Sequence, residues 1–216
     1  MLSRTKQQVI IGIVAVVWLI LALLTGKPLS PTPLKLYSIG GTAVTVCLIA
    51  YERYIWRWKW VRRLTGTPSL AGTWRGTLVS SYVRPDGTQV PPIPIALRIT
   101  QTASALSITL FTDESSSISK HAQLARVSDG RWSLNWLYEN TPRPTVRHRS
   151  ERHCGAAELW IGGANGDELS GEYFTDRLTR GELRFAEWSP KHYGGAESAL
   201  NAADFGTPNP FVGSRR

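Results

Sequence analysis

Between Leu70 and Trp188 the chain alternates short apolar and polar stretches, and this pattern constrains its fold more than any other feature. Eight segments have the period-two alternation typical of β-strands. They are Gly72–Val83, Ile93–Gln101, Leu106–Asp113, Ile118–Val127, Trp132–Glu139, Ala156–Ile161, Glu168–Phe174 and Gly181–Trp188. Turn sequences separate them, and no amphipathic helical stretch intervenes. We predict an eight-stranded antiparallel up-and-down β-barrel, with a two-sheet sandwich as the alternative.

The alternation also predicts which side chains face the barrel interior. Aromatic residues share these faces with glycine and hydroxyl residues. The predicted inward sets are Trp74, Gly76, Leu78, Ser80 and Tyr82 in the first strand, Trp132, Leu134, Trp136 and Tyr138 in the fifth, Leu169, Gly171, Tyr173 and Thr175 in the seventh, and Gly181, Leu183 and Phe185 in the eighth. Such a mixture can leave a lined cavity for one small ligand. The same aromatics can also simply fill the barrel, and the pattern alone leaves both interpretations open.

Two apolar runs precede the barrel. Val9–Leu24 carries no charge, and Leu36–Ile55 is rich in small residues that let another helix approach closely, within the chain or between subunits. The proline-rich connector Thr25–Lys35 is expected to prevent one continuous helix. We predict a two-helix transmembrane anchor in residues 1–64, a linker in 65–69, the barrel in 70–188, and a C-terminal tail in 189–216 that is flexible or packs as a short appendage.

Most of the net charge of +9 lies near the predicted anchor. Residues 1–63 hold nine Lys or Arg and one Glu, a net charge of +8, which leaves +1 for the rest of the chain. The barrel is therefore nearly neutral, and a general binding surface for DNA or RNA polymers is not indicated. The cations flank the pair of apolar runs, which places both termini and the barrel in the cytoplasm. Trp56, Trp58 and Trp60 interleave with cations, as expected at the lipid headgroups.

The sequence offers no pattern for catalysis or metal binding. Cys47 and Cys154 are the two cysteines, and Cys47 lies in an apolar run, so no disulfide framework is expected. The four histidines are scattered, without the spacing of a metal site. No nucleophile elbow or glycine-rich phosphate loop occurs. We predict that the protein is not an enzyme and needs neither metal nor cofactor.

Two basic segments are candidates for ligand contact. Arg143–His153 is the longest and most basic connection of the barrel, and it either binds ligand or faces solvent or membrane. The Tyr173–Gly181 hairpin combines an aromatic residue, two hydroxyls, Arg177 and Arg180. Stacking surfaces with guanidinium groups suit a nucleotide. The alternative is a polar hairpin in which Asp176 pairs with one arginine.

Two short motifs carry a family resemblance. Leu70–Gly76 (LAGTWRG) opens the barrel, and Gly171–Thr175 (GEYFT) leads to Arg180 and Gly181. With the two predicted spans and the tryptophan- and arginine-rich exit, residues 9–188 resemble the CBASS two-transmembrane, β-strand-rich effectors, which are CD-NTase-associated membrane proteins of bacterial anti-phage defence. The resemblance implies a lipocalin-like receptor for a cyclic dinucleotide made by a cGAS-like nucleotidyltransferase. It further implies oligomerisation on ligand binding and disruption of the bacterial inner membrane by the helices.

The candidate ligand-binding residues follow from these matches and from the alternation. They are Trp74, Tyr173, Thr175 and Arg180 at matched positions, Arg177 beside them, and Trp136 from the alternation alone. A membrane-tethered barrel that holds an apolar molecule, and a scaffold subunit with a filled barrel, are the competing hypotheses.

Overall fold

The computed structural model describes residues 15, 19, 31–162 and 168–206, which belong to two compact units. The first unit comprises residues 1–67 with 102–105. Its described part contains helix α1 (Pro31–Arg53), a 3-10 turn (Ile55–Arg57) and helix α2 (Lys59–Thr65). Helix α1 begins ahead of the predicted Leu36, because prolines are tolerated in the first turn of a helix, where the backbone N–H has no intrahelical acceptor.

The predicted transmembrane anchor is not confirmed. The first predicted span, Val9–Leu24, lies outside the described residues apart from Ala15 and Leu19. Among the residues that are described, no helix is both long enough and apolar enough to cross a membrane.

The second unit comprises residues 68–101 and 106–216, and its strands form a closed barrel. The strands are β1 (Gly72–Ser80), β2 (Ile93–Gln101), β3 (Leu106–Phe111), β4 (Ser115–Arg126), β5 (Trp132–Pro142), β6 (His153–Gly162), β7 (Glu168–Thr175) and β8 (Arg180–Ser189). Each strand pairs antiparallel with its predecessor, and β8 pairs with β1. The predicted eight-stranded up-and-down barrel is therefore confirmed, and the sandwich alternative is wrong.

Most strand boundaries fall close to the predicted ones, but β4, β5 and β6 extend further, β6 beginning at His153 rather than Ala156, and β1 ends at Ser80 rather than Val83. Strand β4 begins at Ser115 rather than Ile118, and β5 ends at Pro142 rather than Glu139. The two extensions pair with each other, Ser115 opposite Pro142 and Ser117 opposite Asn140. Serine and asparagine have low intrinsic strand propensity, and here cross-strand pairing outweighs it.

The end of the barrel at which β1 begins, here called the lower end, is filled with apolar side chains. Trp74, Leu97, Leu134, Leu159 and Phe185 have no exposed surface there. They come from five of the eight strands and belong to one apolar cluster. Burial of this apolar area is the main source of stability for the barrel.

The chain segment that enters β1 closes the lower end. The indole Nε1 of Trp74 donates a hydrogen bond to the carbonyl of Leu70 at 3.0 Å, and the indole of Trp188 donates to Ala71 at 3.1 Å. The backbone N–H of Leu70 donates to the side-chain oxygen of Gln101 at 2.7 Å. These bonds satisfy backbone groups that would otherwise be buried without partners.

After β8 the chain packs on the outside of the barrel. Helix α3 (Ala196–Leu200) buries Ala196 and Ala199 against Ala96 of β2 and Phe111 of β3. The described part of the C-terminal segment, 190–206, therefore lies against the outer face of the second unit.

Candidate ligand site at the upper end of the barrel

At the opposite end, here called the upper end, the inner face of the barrel becomes polar. Ser117, Asn140 and His153 lie side by side on β4, β5 and β6. The Ser117 hydroxyl donates to Oδ1 of Asn140 at 3.0 Å, and Nδ2 of Asn140 lies 3.5 Å from Nδ1 of His153. Asn140 is only 6% exposed, so this amide is held in a fixed position inside the barrel.

Tyr138 lies one step deeper on the same face of β5. It stands between Ser119 and Gly155 on the neighbouring strands. Its ring lies over Gly155, where a Cβ atom would come within 2.5 Å of the tyrosine Cζ. Burial raises the pKa of Tyr138, and the charges of Tyr173 and Asp176 act in the same direction. The phenol therefore stays neutral at physiological pH and can both donate and accept a hydrogen bond.

A third row holds two aromatic side chains between small residues. Trp136 lies between Ala122 and Ala157, and Tyr173 lies between Ala157 and Gly181. Burial raises the pKa of Tyr173, although a hydrogen bond with Ser80 opposes the shift. The small neighbours leave the aromatic faces room, which is the arrangement that ring stacking requires.

The loops around the upper end are basic, and they are tied to one another. Arg149 of the β5–β6 connection forms an ion pair with Glu114 of the β3–β4 loop. Nη1 of Arg177, in the β7–β8 turn, donates to the hydroxyl of Ser150 at 3.1 Å. The basic connection is therefore fastened to its neighbours on both sides.

The interior and the rim differ in charge. At the inward positions of the upper half of the barrel, the side chains are apolar, aromatic, amide, hydroxyl or imidazole, and none is Lys or Arg. Five arginines lie in the loops of the upper end: Arg143, Arg147, Arg149, Arg152 and Arg177. The site thus presents neutral hydrogen-bonding groups inside and guanidinium groups at its edge.

Four of the predicted ligand residues lie in or beside the upper end. Trp136 and Tyr173 are buried inside it, and Arg177 lies at its rim. Thr175 is also buried there, but its hydroxyl lies 2.7 Å from that of Thr179 and accepts from the backbone N–H of Arg177 at 3.2 Å. These bonds engage Thr175 in forming the β7–β8 turn.

The other two predicted residues lie elsewhere. Trp74 belongs to the lower end, where its indole is bonded to Leu70. Arg180 is exposed, and it lies opposite Phe174 of β7, which is 63% exposed. Strand alternation therefore places the Arg180 side chain on the outer face of β8. The structure therefore does not bring the six candidates together into one cluster.

Three residues of the site were missed by the sequence analysis: Ser117, Tyr138 and Asn140. Tyr138 was predicted to face inward but was not singled out as a ligand residue. Ser117 and Asn140 fell beyond the predicted ends of β4 and β5. The signal that could have found Asn140 is the continued alternation from Trp136 through Tyr138.

A closed barrel that is filled at one end and lined by neutral aromatic and polar groups at the other has the architecture of a small-ligand receptor. Among the described residues, no group of three His, Cys, Asp or Glu side chains could hold a metal ion. The profile of a family described as "Cap15, cyclic dinucleotide receptor domain" matches residues 65–187. The chain belongs to this family, which confirms the resemblance to CBASS effectors.

A curated relative agrees with this assignment. "CD-NTase-associated protein 15" of Staphylococcus schleiferi is 29% identical over 151 residues, which cover 70% of this chain and 78% of that protein. The match is thus longer than the 123 positions of the receptor domain itself.

Proposed function

We propose that the upper end of the barrel binds a cyclic dinucleotide, and that this binding turns on a membrane effector of bacterial anti-phage defence. The observation that carries the proposal is the asymmetry of the barrel interior. One end is filled and apolar, and the other combines buried aromatic rings and neutral polar groups with a rim of arginines. Membership of a cyclic dinucleotide receptor family supports the choice of ligand.

The charge distribution suggests how the ligand would lie. Phosphates are costly to bury without a cationic partner, so they belong at the rim, near Arg149 and Arg177. The bases would then point inward and stack on Trp136 and Tyr173. In this arrangement Arg149 exchanges Glu114 for a phosphate oxygen, which would loosen the β5–β6 connection on binding.

The output would be self-association and disruption of the inner membrane by the N-terminal helices, with the barrel on the cytoplasmic side. A ligand can drive association only if it binds the associated state more tightly than the single chain. The source of the ligand would be a cGAS-like nucleotidyltransferase, since the relative's name couples it to such an enzyme.

The test is calorimetric titration of the full 216-residue chain in detergent with cyclic di-AMP, cyclic di-GMP, cyclic di-UMP and cyclic GMP–AMP. We expect at least one ligand to bind at micromolar concentration or below. Arg177→Ala should weaken that binding, whereas Arg131→Ala at the lower end should not. If none of the four binds and a fatty acid does, the apolar-ligand alternative replaces this proposal.

Arg180 needs its own test, because its side chain is on the outer face of β8. Arg180→Ala is compared with Arg184→Ala, the next outward arginine on the same strand. If Arg180 reaches the ligand around the rim, only the first substitution abolishes binding. If both variants bind the ligand with equal affinity, Arg180 does not contact it.

A further inference from the structure

We propose that Asn140 determines which nucleobase the barrel accepts, by donating a hydrogen bond from its amide nitrogen to an acceptor atom on the base edge. This inference rests on the proposed binding of a cyclic dinucleotide and names the specificity element of that site. Stacking on aromatic rings holds any base, since every base has a π-face. Discrimination between bases therefore needs a polar group with a fixed orientation.

Ser117 holds one side of the Asn140 amide, and in the structure that side is Oδ1. Its hydroxyl donates to Oδ1 at 3.0 Å, and both residues are 6% exposed. The carbonyl side of the amide is thereby turned toward β4, and the nitrogen side is turned toward β6. In the opposite orientation the N–H groups would donate to the Ser117 hydroxyl instead, because a hydroxyl accepts as well as donates, and Oδ1 would face β6.

The nitrogen side is not fully satisfied by the protein. Its neighbour is Nδ1 of His153, at 3.5 Å, but the same Nδ1 lies 3.1 Å from the carbonyl oxygen of Glu151. A carbonyl can only accept, so Nδ1 must carry a proton to bond with Glu151, and a protonated Nδ1 cannot accept from Asn140. The shorter contact favours Glu151, which leaves the Asn140 N–H groups available for a ligand.

Tyr138 offers a second contact for the same base. Side chains two positions apart on one face of a strand lie about 7 Å from each other, within the reach of one nucleobase. Tyr138 is 7% exposed, and none of the hydrogen bonds among the described residues involves its hydroxyl. A phenol hydroxyl both donates and accepts, so it can bond a ligand that enters the site.

The experiment compares relative affinities for the same four cyclic dinucleotides in the full-length wild type, Asn140→Asp and Ser117→Ala. Asn140→Asp replaces a donor with an acceptor, so the preference for the best wild-type ligand over the others should fall at least tenfold, the effect of about one hydrogen bond. Ser117→Ala keeps Asn140 but frees its amide to flip, which should reduce the same preference without abolishing binding. Asn135→Asp, on the outer face of β5, is the matched control and should leave every ratio unchanged.

The outcomes separate this inference from the proposed function. Binding by the wild type with altered ratios in the two site variants supports the inference. If the wild type binds but both variants weaken all four ligands by one common factor, Asn140 is structural and the inference is overturned. Should Asn140→Asp fail to fold, the ratios of Ser117→Ala decide alone. If the wild type binds none of the four, the proposed function itself fails, and base recognition by Asn140 fails with it.

Discussion

At the scale of single residues, the upper end depends on glycines that leave room for aromatic rings. A Cβ added at Gly155 would lie 2.5 Å from the Tyr138 hydroxyl and 2.6 Å from the carbonyl of Phe174. We expect Gly155→Ala to destabilise the barrel by about 1–3 kcal/mol and to displace the tyrosine ring. Thermal unfolding and tryptophan fluorescence of the full chain measure both effects. Gly162→Ala on the same strand is the control, because no atom of the described residues lies within 4 Å of its added Cβ; equal losses for both variants would contradict the packing argument.

Leu178 is a residue-scale case of backbone strain. It has a φ of 58°, the one positive value among the described non-glycine residues, and its side chain is 96% exposed. A leucine in the left-handed region is strained, so Leu178→Gly should stabilise the chain by about 0.5–1 kcal/mol. Leu178→Ala removes the same side chain but keeps the strain, and we expect no gain from it. A comparison of their thermal midpoints tests this, and a gain for alanine alone would exclude relief of strain as the cause.

At the scale of elements, one carboxylate joins the end of β8 to the segment that follows it. Asp204 accepts hydrogen bonds from the hydroxyl of Tyr193, from Lys191 at 3.0 Å and from Ser189 at 3.1 Å. These bonds, that of Tyr193 foremost, lower the pKa of Asp204 to about 2. A lowered pKa stabilises the folded state above the ordinary value near 3.8, and this contribution is lost as the pH falls through about 2.

Substitution of this carboxylate should therefore have a pH-dependent effect. We expect Asp204→Asn to lower the thermal midpoint at pH 7, and the gap to the wild type to close between about pH 4 and pH 2. Glu197→Gln, an exposed acid on α3, serves as the control and should leave the midpoint unchanged at pH 7. A gap that stays constant over the acid range would mean that the carboxylate charge is not what holds the segment.

The strands show which parts of the fold could be predicted from the sequence and which could not. Alternation placed all eight, because each strand buries one face and exposes the other. It failed at the start of β4, the end of β5 and the start of β6, where polar residues continue the alternation inside the barrel instead of marking a turn. Asn140 was missed for that reason. Arg180 was chosen for its chemistry, but only the register of β8 shows that its side chain starts on the outer face.

At the scale of the whole molecule, the proposed function assigns ligand binding and membrane output to separate units of the chain, so a substitution in one should leave the other intact. Helix α1 provides such a position at Gly41, which with Thr45 forms a small-residue pair one turn apart. The Thr45 hydroxyl already donates to the Gly41 carbonyl at 2.9 Å, so it needs no partner on another helix. Close packing of small residues would then be the main interaction that this face offers.

We expect the full chain in liposomes to self-associate and release trapped dye when its cyclic dinucleotide is added, and Gly41→Leu to reduce both effects while calorimetric affinity stays unchanged. A bulky side chain at Gly41 keeps helices apart, but it lies outside the unit that contains the barrel. Cross-linking and dye release measure the two effects. The matched control is Val46→Leu, an exposed position of the same helix that is already large. If Gly41→Leu releases dye at the wild-type rate, this helix face does not take part in membrane disruption. If the wild type binds ligand but releases no dye, the proposed membrane role is contradicted.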